Sequence, residues 1–490
     1  MDNLNSLARD YLGEYKDEKL LKSAAAEFGV DPKSGMWQLP PRYVGKYAEQ
    51  DALITLKLWE NLRKKITQEE CTSIFELESS LLPVLFEMKT KGVRVDVQKA
   101  ERTKKDLAKI EKSLIDEIVK ETGVVVEPWV ATSVAKVFDA VGLPYSRTEK
   151  SGAPMFTKQV LANNTHPIAQ KIIKIREINK ANTTFVDTIL EHSHNGRIHC
   201  DFHSLRSDGG GTVTGRFSSS NPNLQQIPAR DPEIKKLIRG LFIPEEGHKW
   251  GSFDYASQEP RWLVHYCATL TGIDRHPQID EVVDNYRKGL ADFHQMVADM
   301  AGIKRKEAKT VNLGIMYGMG KGKLANVMDI EVEEAEKLIS TYNERVPFLK
   351  ALSEKAMNRA KDHGVIRTWL GRKCRFDMYE PVSFGFNKAL PMKEAIAEYG
   401  SIGRIRRAYT YKALNRLIQG SSADQTKKAM VECYKEGLCP TLTVHDELCF
   451  NIENQKQADK IVEIMTTCIP DLKVPFEVDT ALCDNWGEVD

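Results

Sequence analysis

Two aspartates stand at positions suited to phosphoryl chemistry. Asp254 ends the alternating run Lys249-Trp-Gly-Ser-Phe-Asp254, and Asp446 lies inside Thr441-Leu-Thr-Val-His445-Asp446-Glu447-Leu-Cys-Phe-Asn-Ile452. Alternation of this kind predicts strands, and a polar pair between two strand-like runs predicts a tight antiparallel turn with Asp446 at its tip. Carboxylates fixed on rigid strands can hold two divalent ions about 4 Å apart, which clamps the attacking and leaving oxygens of an in-line displacement. Taken singly, each is more readily an ordinary turn or cap aspartate.

A third element changes that balance. Arg305, Lys309, Leu313 and Tyr317 recur at four-residue steps, so a helix there carries two cations, an apolar side chain and an aromatic ring along one slowly drifting face. Arg305 and Tyr317 are separated by about 18 Å along the axis, enough for cations to meet a triphosphate while a ring meets a base. Gly318-Met-Gly320 then acts as a helix stop.

The elements that must position these residues are mixed. Pro260, in Glu259-Pro-Arg261-Trp, opens a helix just after the Asp254 strand, and helical patterns dominate from Asp292 to Ala360. A polar helix runs through Asn415 and Gln419 into Lys428, and two long helical patterns flank Lys91-Gly-Val-Arg-Val-Asp96. Tyr47 to Trp59 reads as one amphipathic helix, and Gly209 to Pro228 has the turn composition of an ordered, irregular loop. Long specific loops tend to carry function.

Bulk composition sets limits. The chain has 490 residues, more than one hydrophobic core usually supports. Its 41% hydrophobic and 28% charged residues are ordinary for a globular enzyme. Seventy Lys and Arg against sixty-nine Asp and Glu leave a formal charge of +1, so only local basic clusters such as Lys171–Arg176, Lys304–Lys306, Arg372–Arg375 and Arg404–Arg407 could speak for a nucleic-acid partner. Any one of them is more readily a solvated face. Nine cysteines, without a CxxC pair, predict reduced thiols rather than a disulfide framework or zinc site. No apolar run approaches the ~18 residues of a membrane span, so the expectation is a cytoplasmic protein without membrane contact.

Taken together, the motifs resemble those of family A DNA polymerases, the group of bacterial DNA polymerase I, and most of all its phage-encoded members. Phe253-Asp254-Tyr255-Ala-Ser-Gln-Glu259-Pro-Arg261 resembles the first polymerase motif, the Arg305 to Gly318 helix the second, and Val444-His445-Asp446-Glu447 the third. Thr214-Gly215-Arg216 through Pro228, Asp292-Phe-His294, Asn415-Arg-Leu-Ile-Gln419-Gly420 and Val474 to Trp486 follow the family too, so the likeness runs from about Phe75 to the end.

The resemblance implies an α+β, multi-domain right-hand polymerase: an antiparallel β palm, helical fingers, a helical thumb and an N-terminal remnant of a 3′-5′ exonuclease domain. The expected divisions are 1–70 for the remnant, 75–200 for the thumb, 201–275 and 415–490 for the palm, and 276–414 for the fingers. It implies that Asp254, Asp446 and the Tyr255 carbonyl bind two magnesium ions, with manganese able to substitute, and that one ion lowers the pKa of the primer 3′-hydroxyl. Arg305, Lys309 and His294 would hold the triphosphate, with Lys309 the proton donor and Glu447 in a supporting catalytic part. Glu259 would be a steric gate against a ribose 2′-hydroxyl, and Tyr255, Leu313 and Tyr317 would line the nucleotide site. Arg216, Arg261, Asn415, Gln419 and His445 would contact DNA without reading sequence. Primer-template DNA and deoxynucleoside triphosphates are the implied partners of a monomer acting in the host cytoplasm.

Two departures matter. Leu313 stands where the family usually has phenylalanine or tyrosine, which implies strong discrimination against dideoxynucleotides. Tyr47-x3-Asp51 resembles the third exonuclease motif without the first two, so independent proofreading is not expected; either the chain is a truncated form or a separate exonuclease polypeptide supplies the rest as a partner. The thumb shows no large insertion, which predicts short synthesis runs. The 376–407 stretch is longer than in the bacterial enzymes and has no role in this reading. Two rivals are a single-subunit RNA polymerase relative, disfavoured by Glu259, and a DNA-binding accessory, disfavoured by the intact motifs.

Overall fold

The computed structural model describes residues 3–149, 151–205, 211–228, 231–290, 292–316, 318–383 and 388–489. Tyr317 and the glycine-rich start of the Gly209–Pro228 loop therefore lie outside the described residues. Backbone contacts divide the chain into two compact units: Met1–Ser79 with Trp369–Lys373, and Ser80–Thr368 with Cys374–Asp490.

In the smaller unit, helices Leu4–Leu12, Lys19–Glu27 and Pro41–Gln68 follow one another. Asn3 caps the first by accepting from the Ser6 amide, and Gly13 closes it at φ 68°. Pro41 starts the third, where its missing N–H costs nothing. The amphipathic stretch from Tyr47 to Trp59 is the middle of this longer helix, which buries Ile54 and Leu58 against Ala8. Arg372 pairs with Glu78, and Lys373 with Glu69 at 3.0 Å, so part of one basic cluster is spent on structure.

The larger unit is built around a four-stranded antiparallel sheet, in the order Leu442–Val444, Glu447–Ile452, Lys249–Tyr255, Val478–Cys483. Period-2 alternation sends Trp250 to one face, where it stacks on Trp486 at 5.8 Å. Phe253 goes to the other, against Phe450 at 5.6 Å. All four of these rings are buried, and burial of large aromatic surface is the main stabilising term for the sheet. Helices Gln258–Thr269 and Ala413–Lys435 pack on each other beside it. Gln258 Nε2 donates to Gln425 Oε1 at 3.1 Å, and Trp262 Nε1 donates to the same oxygen at 2.9 Å.

Before the sheet, the helix Val97–Thr122 is capped by Asp96 and closed by Gly123 at φ 70°. It packs against Pro167–Lys180. There Lys171 pairs with Glu117 and Glu121, and Arg176 donates to the carbonyls of Pro128 and Phe156 at 2.7 Å. That cluster is scaffolding. After the sheet's first strand come Phe293–Ala301, Arg305–Met316, Lys321–Met328, Val332–Arg345 and Pro347–His363. The 376–407 stretch forms a small sheet of Leu390–Pro391, Met378–Pro381 and Ile405–Arg407 with a helix at Met392–Tyr399.

Candidate active site

Strand register brings the two aspartates together. Glu447 lies opposite Asp254 across the central pair, and the hairpin between Val444 and Glu447 consists of His445 and Asp446 alone. A two-residue turn needs positive φ, which His445 supplies at 59°; histidine is among the residues that tolerate this region. Asp446 is thereby held one residue beyond the partner of Asp254. Both open into a cleft of about 680 Å³, with His445, Lys235 and Asp479 in its lining.

Asp479 is the partner of Asp254 on the other side, so acid flanks the strand end from both neighbours. Burial against the sheet, followed by repulsion from Asp446, Glu447 and Asp479, pushes the Asp254 carboxyl up to about 7. Burial also raises Asp446. Asp254 is open to solvent on its cleft side, so water and ions reach it.

The donor set fits magnesium. Hard carboxylate oxygens suit it, and it is usually bound by one or two carboxylates together with water and substrate phosphates rather than by an all-protein cage. Among the described residues no three His, Cys, Asp or Glu side chains form a self-sufficient metal site. The Tyr255 side chain cannot take part: it is buried, with its hydroxyl donating to the Met465 carbonyl at 2.8 Å. Only its backbone is available.

Glu447, expected in a supporting part, is held by several partners. Its Oε1 accepts from Ser252 Oγ at 2.6 Å and Trp486 Nε1 at 3.0 Å, while Oε2 faces Arg239 Nη1 at 3.6 Å. The Arg239 guanidinium in turn lies 4.1 Å from the Trp486 ring centre. Glu447 thus ties three segments beside the aspartates while lining the same cleft. Arg261 corrects an expectation. It is 4% exposed and donates to the carbonyls of Ala256 and Pro475 and to Glu477 Oε2, so it cannot reach DNA and instead fixes the turn after Asp254 to the segment before the last strand.

The cationic helix forms as the four-residue spacing predicts. Ala308, Val311 and Asn312 are buried, whereas Arg305 and Lys309 are exposed and Leu313 is half-buried. Arg305 Nε donates to Asp292 Oδ2 at 2.8 Å, and Asp292 caps the helix that carries His294. Sequence reasoning missed Asn312. Its Oδ1 accepts from the buried Tyr342 hydroxyl and its amide lies 3.0 Å from His294 Nδ1, leaving His294 Nε2 as the protonated nitrogen of the neutral ring. Burial, with help from the Lys309 charge, lowers the His294 pKa. A polar side chain two turns from Arg305 on an otherwise apolar stripe was the available signal.

Arg216, Asn415, Gln419 and His445 converge on a second cleft, of about 540 Å³. The Asn415 Nδ2 is buried without a partner among the described residues, a donor that a DNA base edge or sugar could satisfy. Arg216 bonds Glu259, so the expected gate is held in place by an expected DNA contact. In the smaller unit, Asp51 Oδ1 lies 2.6 Å from Lys16 Nζ, which donates to the Tyr47 hydroxyl at 2.8 Å. Lys16 balances the charge of that carboxylate.

A family model described as DNA polymerase family A matches residues 97–488. The DNA-directed DNA polymerase of Pseudomonas phage M6 is 36% identical over 96% of this chain and 74% of its own length. DNA polymerase I of Rhizobium leguminosarum is 33% identical over 90% of this chain, which spans only 43% of that protein. Among solved structures, the POL domain of Pol1 from M. smegmatis, in complex with DNA primer-template and dNTP, superposes with a TM-score of 0.72 at 23% identity, covering 99% of this chain and 79% of that one. That likeness establishes the fold. Among the described residues no helix is long and apolar enough to cross a membrane.

Proposed function

This chain belongs to DNA polymerase family A and is a DNA-directed DNA polymerase, and from that premise we propose that it adds deoxynucleotides to a primer 3′-hydroxyl by two-metal phosphoryl transfer in phage DNA replication, without proofreading of its own. The observation that carries the mechanism is the register that puts Asp254 and Asp446 at one cleft. Magnesium, or manganese in its place, held by these carboxylates and the Tyr255 carbonyl, supplies activation of the primer hydroxyl and neutralisation of phosphate charge.

The chain's own residues do the rest. Arg305 and His294 bind the triphosphate, Asn312 keeps the proton of the neutral His294 ring on Nε2, and Lys309 donates a proton to departing pyrophosphate. Glu259, steadied by Arg216, excludes a 2′-hydroxyl. Arg216, Asn415, Gln419 and His445 hold the primer-template end through contacts that do not identify a sequence. In this reading the palm is 201–275 with 415–490, the fingers 276–414, the thumb 75–200, and 1–70 the exonuclease remnant, silent because it lacks counterparts of the first two exonuclease motifs. The test is primer extension on a recessed template with magnesium, comparing wild type with Asp446→Ala. Template-dependent product from the wild type alone supports the proposal; equal product from both overturns it.

A further inference from the structure

The helices Gln258–Thr269 and Ala413–Lys435 meet across a polar seam. Gln258 Nε2 lies 3.3 Å from both the Ser422 carbonyl and Thr426 Oγ1. Thr426 Oγ1 donates in turn to the Ser422 carbonyl at 3.1 Å, and Ser421 Oγ lies 2.6 Å from the Tyr266 hydroxyl. The Ser422 hydroxyl is the exception. Ser422 is 1% exposed, and its Oγ has no partner among the described residues. A buried hydroxyl left unpaired is costly, and folded proteins pair such groups with protein or with ordered water.

Ser422 lines a cavity of about 20 Å³ whose other polar walls are Arg216, Gln225, Gln258, Thr426 and His445. A space of about 10–15 Å³ holds one water when two to four polar groups surround it. The size admits a water and excludes any part of a nucleotide. Arg216 and His445 also line the cleft that holds Asn415 and Gln419, so the cavity adjoins that cleft from within the protein. The Arg216 guanidinium bonds Glu259 through Nη2. Its other nitrogens are donors as well, and they call for an acceptor on the protein side.

We propose that this cavity holds one water bonded to Ser422 Oγ and to the Arg216 guanidinium, and that Ser422 acts through it as a positioning residue for Glu259. The water accepts from an Arg216 N–H and exchanges a hydrogen bond with the hydroxyl, with Gln225 and His445 as further partners. A long arginine side chain gives up rotamer freedom to stay in one place, and a second fixed contact on its inner side keeps it on Glu259. Selectivity against a ribose 2′-hydroxyl then depends on a serine that touches neither nucleotide nor metal. This inference rests on the polymerase reading, with Glu259 as its sugar gate, and adds Ser422 as a determinant of sugar selectivity.

The test joins a crystal structure of the full chain, at a resolution that orders waters, to single-turnover incorporation of a deoxynucleotide and the matching ribonucleotide opposite one template base. The wild type should show one water within hydrogen-bond distance of both Ser422 Oγ and the Arg216 guanidinium. Ser422→Ala should lose that water, and its preference for the deoxynucleotide should fall about fivefold, the worth of one neutral hydrogen bond. Ser422→Thr keeps the hydroxyl and should hold both the water and a preference within about twofold of wild type. A dry cavity in the wild type, an unchanged preference in Ser422→Ala, or an equal fall in Ser422→Thr overturns the inference while leaving the polymerase reading intact. Failure of the wild type to extend a primer with either nucleotide overturns both.

Discussion

Replacing Glu447 separates a positioning role from a metal-binding one. Glu447→Ala removes the acceptor of two buried donors, Ser252 Oγ and Trp486 Nε1, and strips the countercharge from Arg239, which is only 7% exposed. An unsatisfied buried donor costs about 1–3 kcal/mol and breaking a buried ion pair about 3–5 kcal/mol. These losses overlap, and the 3.6 Å separation from Arg239 is long for a charge-assisted bond, so the combined loss should be about 3–4 kcal/mol. Glu447→Gln keeps an oxygen for both donors and should lose about 1 kcal/mol. Urea unfolding measures the stability, and primer extension over a magnesium series measures the half-saturating concentration. Both variants should keep that concentration within about threefold of wild type, because the metal ligands stay in place. An alanine variant as stable as wild type that needs about tenfold or more extra magnesium would refute the positioning role.

Other consequences can be measured in parallel. Wild type should discriminate strongly against dideoxynucleotides, and Leu313→Tyr should relax this by about tenfold or more, the worth of one hydrogen bond in the transition state; comparable use of both nucleotides by wild type would contradict it. The pure chain with magnesium should leave a mismatched primer end unshortened, and restored cleavage in Lys16→Ala would show that the lysine masks a working exonuclease site. His265, buried with its Nδ1 accepting from the Lys473 amide, has a pKa lowered to about 4, by burial and then by the Lys473 charge. The unfolded chain binds more protons between that value and the usual 6.5, so stability should be full above pH 6.5 and fall by about 3 kcal/mol as pH drops to 4. His265→Asn should flatten that slope, and an unchanged slope would contradict the assignment.

What the sequence made legible was local. Asp254 and Asp446 stood out because strand alternation and a two-residue polar turn are short-range patterns, and the Arg305 helix because four-residue steps need no tertiary information. What escaped depended on distant partners. Arg261 looks like a surface cation until Pro475 and Glu477, more than two hundred residues away, are folded onto it. Glu447 follows Asp446 in sequence, and its partners Ser252 and Trp486 arrive on other strands and turns. Asp479 joins the acidic end only through register with Asp254, which no single strand reveals. The strands of the 378–407 sheet are two to four residues long, too short for any period to show. Asp51 was recognised as a motif residue, but its partner Lys16 lies in a loop whose approach depends on Gln50 accepting from the Asp17 amide.

The central claim is that Asp254 and Asp446 together hold the ions that the reaction needs. Manganese binding, followed by electron paramagnetic resonance on the complex with a chain-terminated primer-template and the next complementary deoxynucleotide, tests it most directly. The wild type should take up about two ions per chain, and the Asp254→Asn/Asp446→Asn variant should lose that uptake while still binding DNA. Undiminished uptake by the double variant would contradict the account.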